Sequence, residues 1–174
     1  DFTVNIALID MQRPVLGVIY APALGEGYAG VVGDDPRATR WQDDQTDDQE
    51  TTVRSLPHKG LTLVTSTTKI QNPHVIQLMD RIKMNKHLKR HSSIKFCDIA
   101  AGRADVMVVA RDIYFWDTAA GDAIVHAAGG FAVDLFGQTL LYDRTVPHFV
   151  NFGLIAGSDF DYINPIIQEF SQVT

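Results

Sequence analysis

Trp116-Asp117-Thr118-Ala119-Ala120-Gly121-Asp122-Ala123-Ile124-Val125-His126-Ala127-Ala128-Gly129-Gly130 is the stretch around which the rest of this sequence is arranged. An apolar, strand-like run, residues 106–110, arrives just before it. Residues 118–128 are rich in alanine with one isoleucine and one valine, a composition that favours a short buried helix. Gly129-Gly130 follows where a left-handed C-terminal cap is expected. Asp117 stands at the junction of strand and helix, and two readings of it are open. It can be a plain N-cap, its carboxylate accepting the unpaired backbone N–H groups of the first turn. It can also be a metal ligand at a phosphate site. Mg²⁺ takes one or two protein carboxylates together with substrate oxygens, and a helix N-terminus favours the same anion.

The composition narrows the function classes. At 174 residues and 45% apolar content, the chain is long enough for one sizeable core or two small domains. A net charge of −6 argues against a general nucleic-acid binder, which would be basic. An anionic small substrate stays open, because a bound divalent cation inverts the local field. The single Cys97 has no intramolecular disulfide partner and sits in an apolar pattern, as expected of a buried reduced thiol. No run of about eighteen apolar residues and no signal peptide is seen, so no membrane partner is expected and a cytoplasmic home is the default.

Outward from the organising stretch, the periodicities give a coarse map. Residues 2–9 alternate as a strand with Phe2, Val4, Ile6 and Leu8 on one face, residues 10–14 turn, and residues 15–20 return as a hairpin. Residues 28–32 form a third strand, and residues 33–40 a polar loop anchored by Trp41. The acidic run at residues 43–50 lacks the spacing of a calcium loop and reads as a solvated connection. Residues 61–65 are a compact strand, and residues 73–84 a helix with Val75, Ile76, Met79 and Ile82 on one face. The basic cluster of Arg81, Lys83, Lys86, Lys89, Arg90 and His91 is either a solvated helix end or a means of drawing in a polyanion. Ser92 is the expected N-cap of a helix over residues 93–101. Residues 131–134 and 139–142 flank Gly137 as a hairpin, residues 150–158 close with a buried strand, and residues 162–170 form an amphipathic helix. His148 is a polar residue whose reading is structural. Strands grouped early and helices alternating with strands later point to an α+β first portion and an α/β second portion.

Three stretches together resemble a known family. Residues 116–121 with residues 127–130 look like the second signature of the inositol monophosphatase superfamily, Mg²⁺-dependent phosphomonoesterases. Residues 1–9 with 14–23, and Ser92-Ser93-Ile94-Lys95-Phe96-Cys97 with Gly102-Arg103-Ala104-Asp105, are similar to segments of its bacterial 3'(2'),5'-bisphosphate nucleotidases. The resemblance implies a layered sandwich of alternating helices and sheets. Residues 1–58 would be the remainder of an N-terminal α+β domain with an antiparallel sheet, and residues 59–174 a C-terminal α/β domain. It also implies Mg²⁺ as cofactor, Asp117 as catalytic residue, metal ligand and substrate contact, and Ser92 and Lys95 as substrate contacts. For Ser92 and Lys95 the plain alternative is a capping serine and a surface lysine. The partner would be a small-molecule phosphate ester, and a homodimer is compatible with the resemblance.

The departures are equally informative. The family's first signature, Asp-Pro-(Leu/Ile)-Asp-Gly-Thr, occurs nowhere in the chain; Asp35-Pro36 lacks the rest of it. The chain therefore corresponds to the later part of such an enzyme, with that signature expected before Asp1 and little activity expected of the chain alone. The branch's Arg-Ser-His is here Ser66-Thr67-Thr68, a substrate-contacting Arg is Val109, a Gly is His91, and a Glu is Phe115. The resemblance thus implies hydrolysis of adenosine 3',5'-bisphosphate to AMP by a metal-activated water, clearing a by-product of sulfur metabolism. An inositol or other sugar monophosphate is the alternative substrate, and a non-catalytic family domain the second alternative.

Overall fold

The computed structural model describes residues 2–66, 76–77, 80–145 and 150–171, with the side chains of residues 150 and 169–171 left aside. Two five-stranded sheets sandwich one central helix. The first is a fully antiparallel meander in the order β1-β2-β3-β4-β5: β1 (Val4–Asp10), β2 (Arg13–Ala21), β3 (Glu26–Val31), β4 (Arg37–Gln42) and β5 (Gln49–Glu50). The second is mixed, in the order β7-β6-β8-β10-β9: β6 (Leu61–Thr65), β7 (Met84–Lys89), β8 (Val106–Tyr114), β9 (Phe131–Val133) and β10 (Val150–Gly157). β6 runs parallel to β7 and β8, while β10 is antiparallel to β8 and β9. Helices α1 (Ile94–Ala100), α2 (Phe115–Ala127) and α3 (Phe160–Ser171) complete the described elements.

The organising stretch is α2. Residues 118–125 and Ala127 are all buried, as a helix covered on both sides requires. It ends in a Schellman motif: Gly130 N–H donates to the Val125 carbonyl and Gly129 N–H to that of His126, with Gly129 at φ +87°. The antiparallel sheet comes against α2 backbone to backbone. A Cβ on Gly17 of β2 would lie 2.2 Å from the Ala120 carbonyl oxygen, and one on Gly30 of β3 2.6 Å from Ile124 Cα. On the α1 side, a Cβ on Gly121 would lie 2.2 Å from Phe96 Cγ. One core cluster consequently runs from Ile19 and Tyr28 through Phe96, Ala120 and Ile124 to Met107 and Leu154. A second, beyond the mixed sheet, joins Leu63, Val106, Val108, Ile155, Ile163 and Ile167.

Two buried carboxylates hold the mixed sheet to its surroundings. Asp105 accepts from Arg54 Nε (2.8 Å) and Nη2 (2.6 Å) and from the Thr62 N–H (2.6 Å). Asp98 accepts from Arg103 Nε (2.6 Å) and Arg90 Nε (3.1 Å). Both are fully buried, where an unpaired charge would be strongly destabilising. Cys97 is buried and unbridged, as the sequence indicates, and burial pushes its thiol pKa well up.

The alternation of Phe2, Val4, Ile6 and Leu8 holds as read, and their shared face is exposed, at 62, 49, 61 and 59%, while Asn5 and Ala7 turn toward α2. Several local expectations are corrected. The loop expected at residues 33–40 contains the start of β4, and Trp41 lies within that strand, stacked with Tyr20. The basic cluster is split: Arg81 ends a helical stretch, whereas Lys86 and Lys89 lie on β7, an exposed edge strand. The expected second strand after Gly137 reduces to one bridge, Thr139 to Val133. Thr67, Thr68, Val75, Met79 and His148 lie outside the described residues.

Because the Gly17 approach is backbone to backbone, Gly17→Ala should cost about 1–3 kcal/mol of unfolding free energy. Gly33→Ala, with nothing within 4 Å, should stay within about 0.5 kcal/mol of wild type. Urea titrations followed by circular dichroism measure both.

Candidate active site

β8 runs directly into α2 with no loop between them, and this places Asp117. The helix begins at Phe115 with Tyr114 in the N-cap position, so Asp117 lies in the first turn and is not the cap. Its carboxylate is still favoured there by the helix dipole. Ser93 Oγ donates to the Asp117 carbonyl (2.9 Å), and Asn5 Nδ2 donates to Ser93 Oγ (3.0 Å) and the Trp116 carbonyl (3.2 Å). The antiparallel sheet, the start of α1 and the start of α2 are therefore tied together at one point.

Ser92 is likewise not the cap it resembles. Ser93 occupies the N-cap position of α1, and its hydroxyl serves Asp117 rather than its own helix. Ser92, one residue earlier, adopts φ +57°, a left-handed conformation that costs a non-glycine residue energy and persists only where the surroundings impose it. The Ser92 carbonyl accepts from Lys95 Nζ (2.6 Å), and its hydroxyl pairs with Thr3 Oγ1.

These residues meet in a cleft of about 390 Å³ whose walls include Ser92, Ser93, Lys95, Val109, Arg111 and Asp117. All three site residues expected from the sequence are thus brought together. Lys95 is held at a pKa of about 8, chiefly by burial and then by the charge of Arg111, against the opposing pull of Asp117 and Asp98. Asn5, Ser93 and Arg111 escape a sequence reading of the site. Asn5 and Ser93 sit inside the quoted motifs, but their contacts join segments about 90 residues apart. A larger hollow of about 850 Å³ lies between β1 and α2, lined by Ala7, Trp116 and Tyr142 among others, and excludes Asp117, Ser92 and Lys95. Trp116 stacks on Tyr114 at its rim, centroids 4.5 Å apart.

Among the described residues no group of three His, Cys, Asp or Glu side chains could hold a metal ion. The cleft sets one carboxylate beside two cationic side chains, so by itself it supplies one oxygen ligand and does not complete a site for Mg²⁺, a cation that needs near-octahedral oxygen ligation. What the arrangement fits is an anion.

Comparisons with known proteins bear on the family and the fold. The model of the inositol monophosphatase family matches residues 1–169. The chain belongs to the inositol monophosphatase family. It is 33% identical over 91% of its length to the 3'(2'),5'-bisphosphate nucleotidase CysQ of Buchnera aphidicola, and 34% identical over 82% to that of Salmonella typhimurium. It spans 57% and 54% of those two proteins, about half their length. Among solved structures, CysQ from Bacteroides thetaiotaomicron superposes with a TM-score of 0.75 at 26% identity, covering 90% of this chain and 63% of that one. An inositol monophosphatase from Zymomonas mobilis, at 24% identity and TM-score 0.76, covers 97% of this chain and 62% of its own and shares the fold. The layered α+β architecture expected from the sequence is that of this family. No described helix is long and apolar enough to cross a membrane.

The depressed Lys95 pKa has a stability consequence. Unfolded, the amine titrates near 10.5; folded, near 8, so between these values the unfolded state binds more protons and stability rises with pH. Lys95→Met, free of the buried charge, should be more stable than wild type below about pH 8. Its margin should shrink toward pH 10.5. Paired urea titrations in chloride buffers measure the difference, and parallel pH curves would contradict it.

Proposed function

We propose that the protein is a Mg²⁺-dependent phosphomonoesterase that converts adenosine 3',5'-bisphosphate to AMP and phosphate, and that this chain carries its substrate-binding cleft. The observation that carries the reading is the meeting of Asp117, Ser92 and Lys95 in one cleft at the start of α2. The similarity to bacterial 3'(2'),5'-bisphosphate nucleotidases supplies the substrate class. In this reading the half-buried Lys95 ammonium binds the phosphoryl group as a point charge, and the first-turn N–H groups of α2 add their partial positive charge. Ser93 and Asn5 fix the orientation of the turn bearing Asp117.

Mg²⁺ is the cofactor implied, and Asp117 the one residue of this chain proposed as its ligand. Because the described residues do not complete a divalent-cation site, the 174-residue chain is expected to bind phosphate esters while releasing little phosphate by itself. A cytoplasmic enzyme clearing a by-product of sulfur metabolism is the setting this activity suggests. The apolar Val109 in the cleft wall favours one second reading, an inositol or other sugar monophosphate as substrate.

Isothermal titration with adenosine 3',5'-bisphosphate and inositol 1-phosphate tests the proposal, with phosphate release followed in Mg²⁺ and in EDTA. The bisphosphate should bind more tightly, and Lys95→Met should weaken it about ten- to a hundredfold, the loss of one charge-assisted contact. Tighter binding of inositol 1-phosphate would move the assignment to the second reading. Binding of neither would leave a non-catalytic family domain.

A further inference from the structure

The cleft sets a second cation, Arg111, beside Lys95. Its position depends on an irregularity in β8. Phe152 pairs with Asp112 and Leu154 with Val109, so Ala110 and Arg111 together face the single residue Gly153. This is a β-bulge, a device that re-aims a side chain. Gly153 accommodates it at φ +85°, where a Cβ would lie 2.7 Å from the Val109 carbonyl oxygen and 2.8 Å from a Leu135 methyl carbon. The bulge falls where the strand leaves the core: residues 106–109 are buried, Arg111 is exposed, and its side chain lines the cleft with Lys95 and Asp117.

Among the described residues, Arg111 has no carboxylate partner of the kind that Arg54, Arg90 and Arg103 have. Arg54 is locked to Asp105, and Arg90 and Arg103 to Asp98. Among the described residues, the hydrogen bond of Arg111 goes to the carbonyl of its neighbour Asp112 (3.1 Å). An arginine carries five N–H donors in a planar fork matched to two phosphate oxygens. Two cations, from α1 and from β8, therefore share a cleft with one carboxylate, in a chain whose net charge is −6. Coulomb repulsion between Lys95 and Arg111 is relieved by an anion lying between or alongside them.

We propose that Arg111 is a specificity-determining residue that grips a second anionic group on the ligand, so that the cleft selects diphosphorylated esters over monophosphorylated ones. The inference rests on the proposed phosphate-ester function of the same cleft and names what that cleft distinguishes. Lys95 holds one phosphoryl group beside the start of α2, and the Arg111 fork takes the other. The grip is set by the bulge, so it belongs to this strand's geometry rather than to a general excess of basic residues.

The test is isothermal titration of the chain with adenosine 3',5'-bisphosphate and with AMP, using wild type, Arg111→Gln, Arg111→Lys and Arg37→Gln. Arg37 is an exposed β4 residue outside the cleft, so its variant controls for loss of one positive charge. Wild type should prefer the bisphosphate by about tenfold or more, the worth of a charge-assisted contact. Arg111→Gln should bring that ratio close to one, Arg111→Lys should restore part of it, and Arg37→Gln should leave it as in wild type. Circular dichroism checks that each variant is folded. If the ratio in Arg111→Gln equals that of wild type, or if Arg37→Gln lowers it equally, the role of Arg111 is overturned while the cleft's function stands. If wild type binds neither ester, both are overturned.

Discussion

The constraint on which everything else depends is the distance between α2 and the antiparallel sheet. At Gly17 and Gly30 the sheet meets the helix with no side chain between, and at Gly121 the helix meets the Phe96 ring in the same way. Alanines fill the remaining helix surface, so α2 lies deeper between two sheets than a leucine-rich helix could. That depth brings Asn5 on β1 within hydrogen-bonding distance of Ser93 and of the Trp116 carbonyl. The orientation of Asp117 is thus an outcome of backbone packing some way along the helix, followed by a short chain of hydrogen bonds at its start.

Charge is handled in two ways in this molecule. In the interior, Asp105 is matched by Arg54 and a backbone N–H and Asp98 by two arginines, while Asp122 faces His126. Such pairs are costly to break because the surviving charge has no water to turn to. In the cleft the matching stops. Lys95 is half-buried with a depressed pKa, and Arg111 adds a second cation against the single carboxylate of Asp117. An acidic protein with a locally cationic cleft is suited to a small polyanion rather than to nucleic acid, whose recognition needs a broad basic surface.

Much of this was legible in the sequence for physical reasons. The alanine-rich run ending in Gly129-Gly130 marks α2 because small residues and a left-handed cap leave few alternatives, and the apolar runs beginning at Leu61, Val106 and Val150 mark strands buried on both faces. Polar strands were harder: β4, flanked by the two-residue β5, and the edge strand β7 carry arginines, lysines and a histidine that read as loop or helix end, since strands at or near an edge need no continuous apolar face. Ser92 and Ser93 are adjacent and chemically identical, so the sequence could name the motif while leaving open which hydroxyl does what. Arg111 was hidden because the bulge at Ala110 breaks the alternation from which a strand's faces are read. The β1 alternation was legible for the opposite reason: it is clean, and its apolar face points outward.

The central claim is that the start of α2, the start of α1 and the bulged end of β8 form a single anion site. Titrating the ¹⁵N-labelled chain with adenosine 3',5'-bisphosphate and following its amide resonances tests this most directly. The account predicts shifts concentrated at Ser92, Ser93 and Lys95, at Val109 and Arg111, and at Asp117 and Thr118, saturating together with one dissociation constant. Shifts centred instead on Ala7, Gln12 and Thr145, which line the larger hollow, or shifts that never saturate, would contradict it.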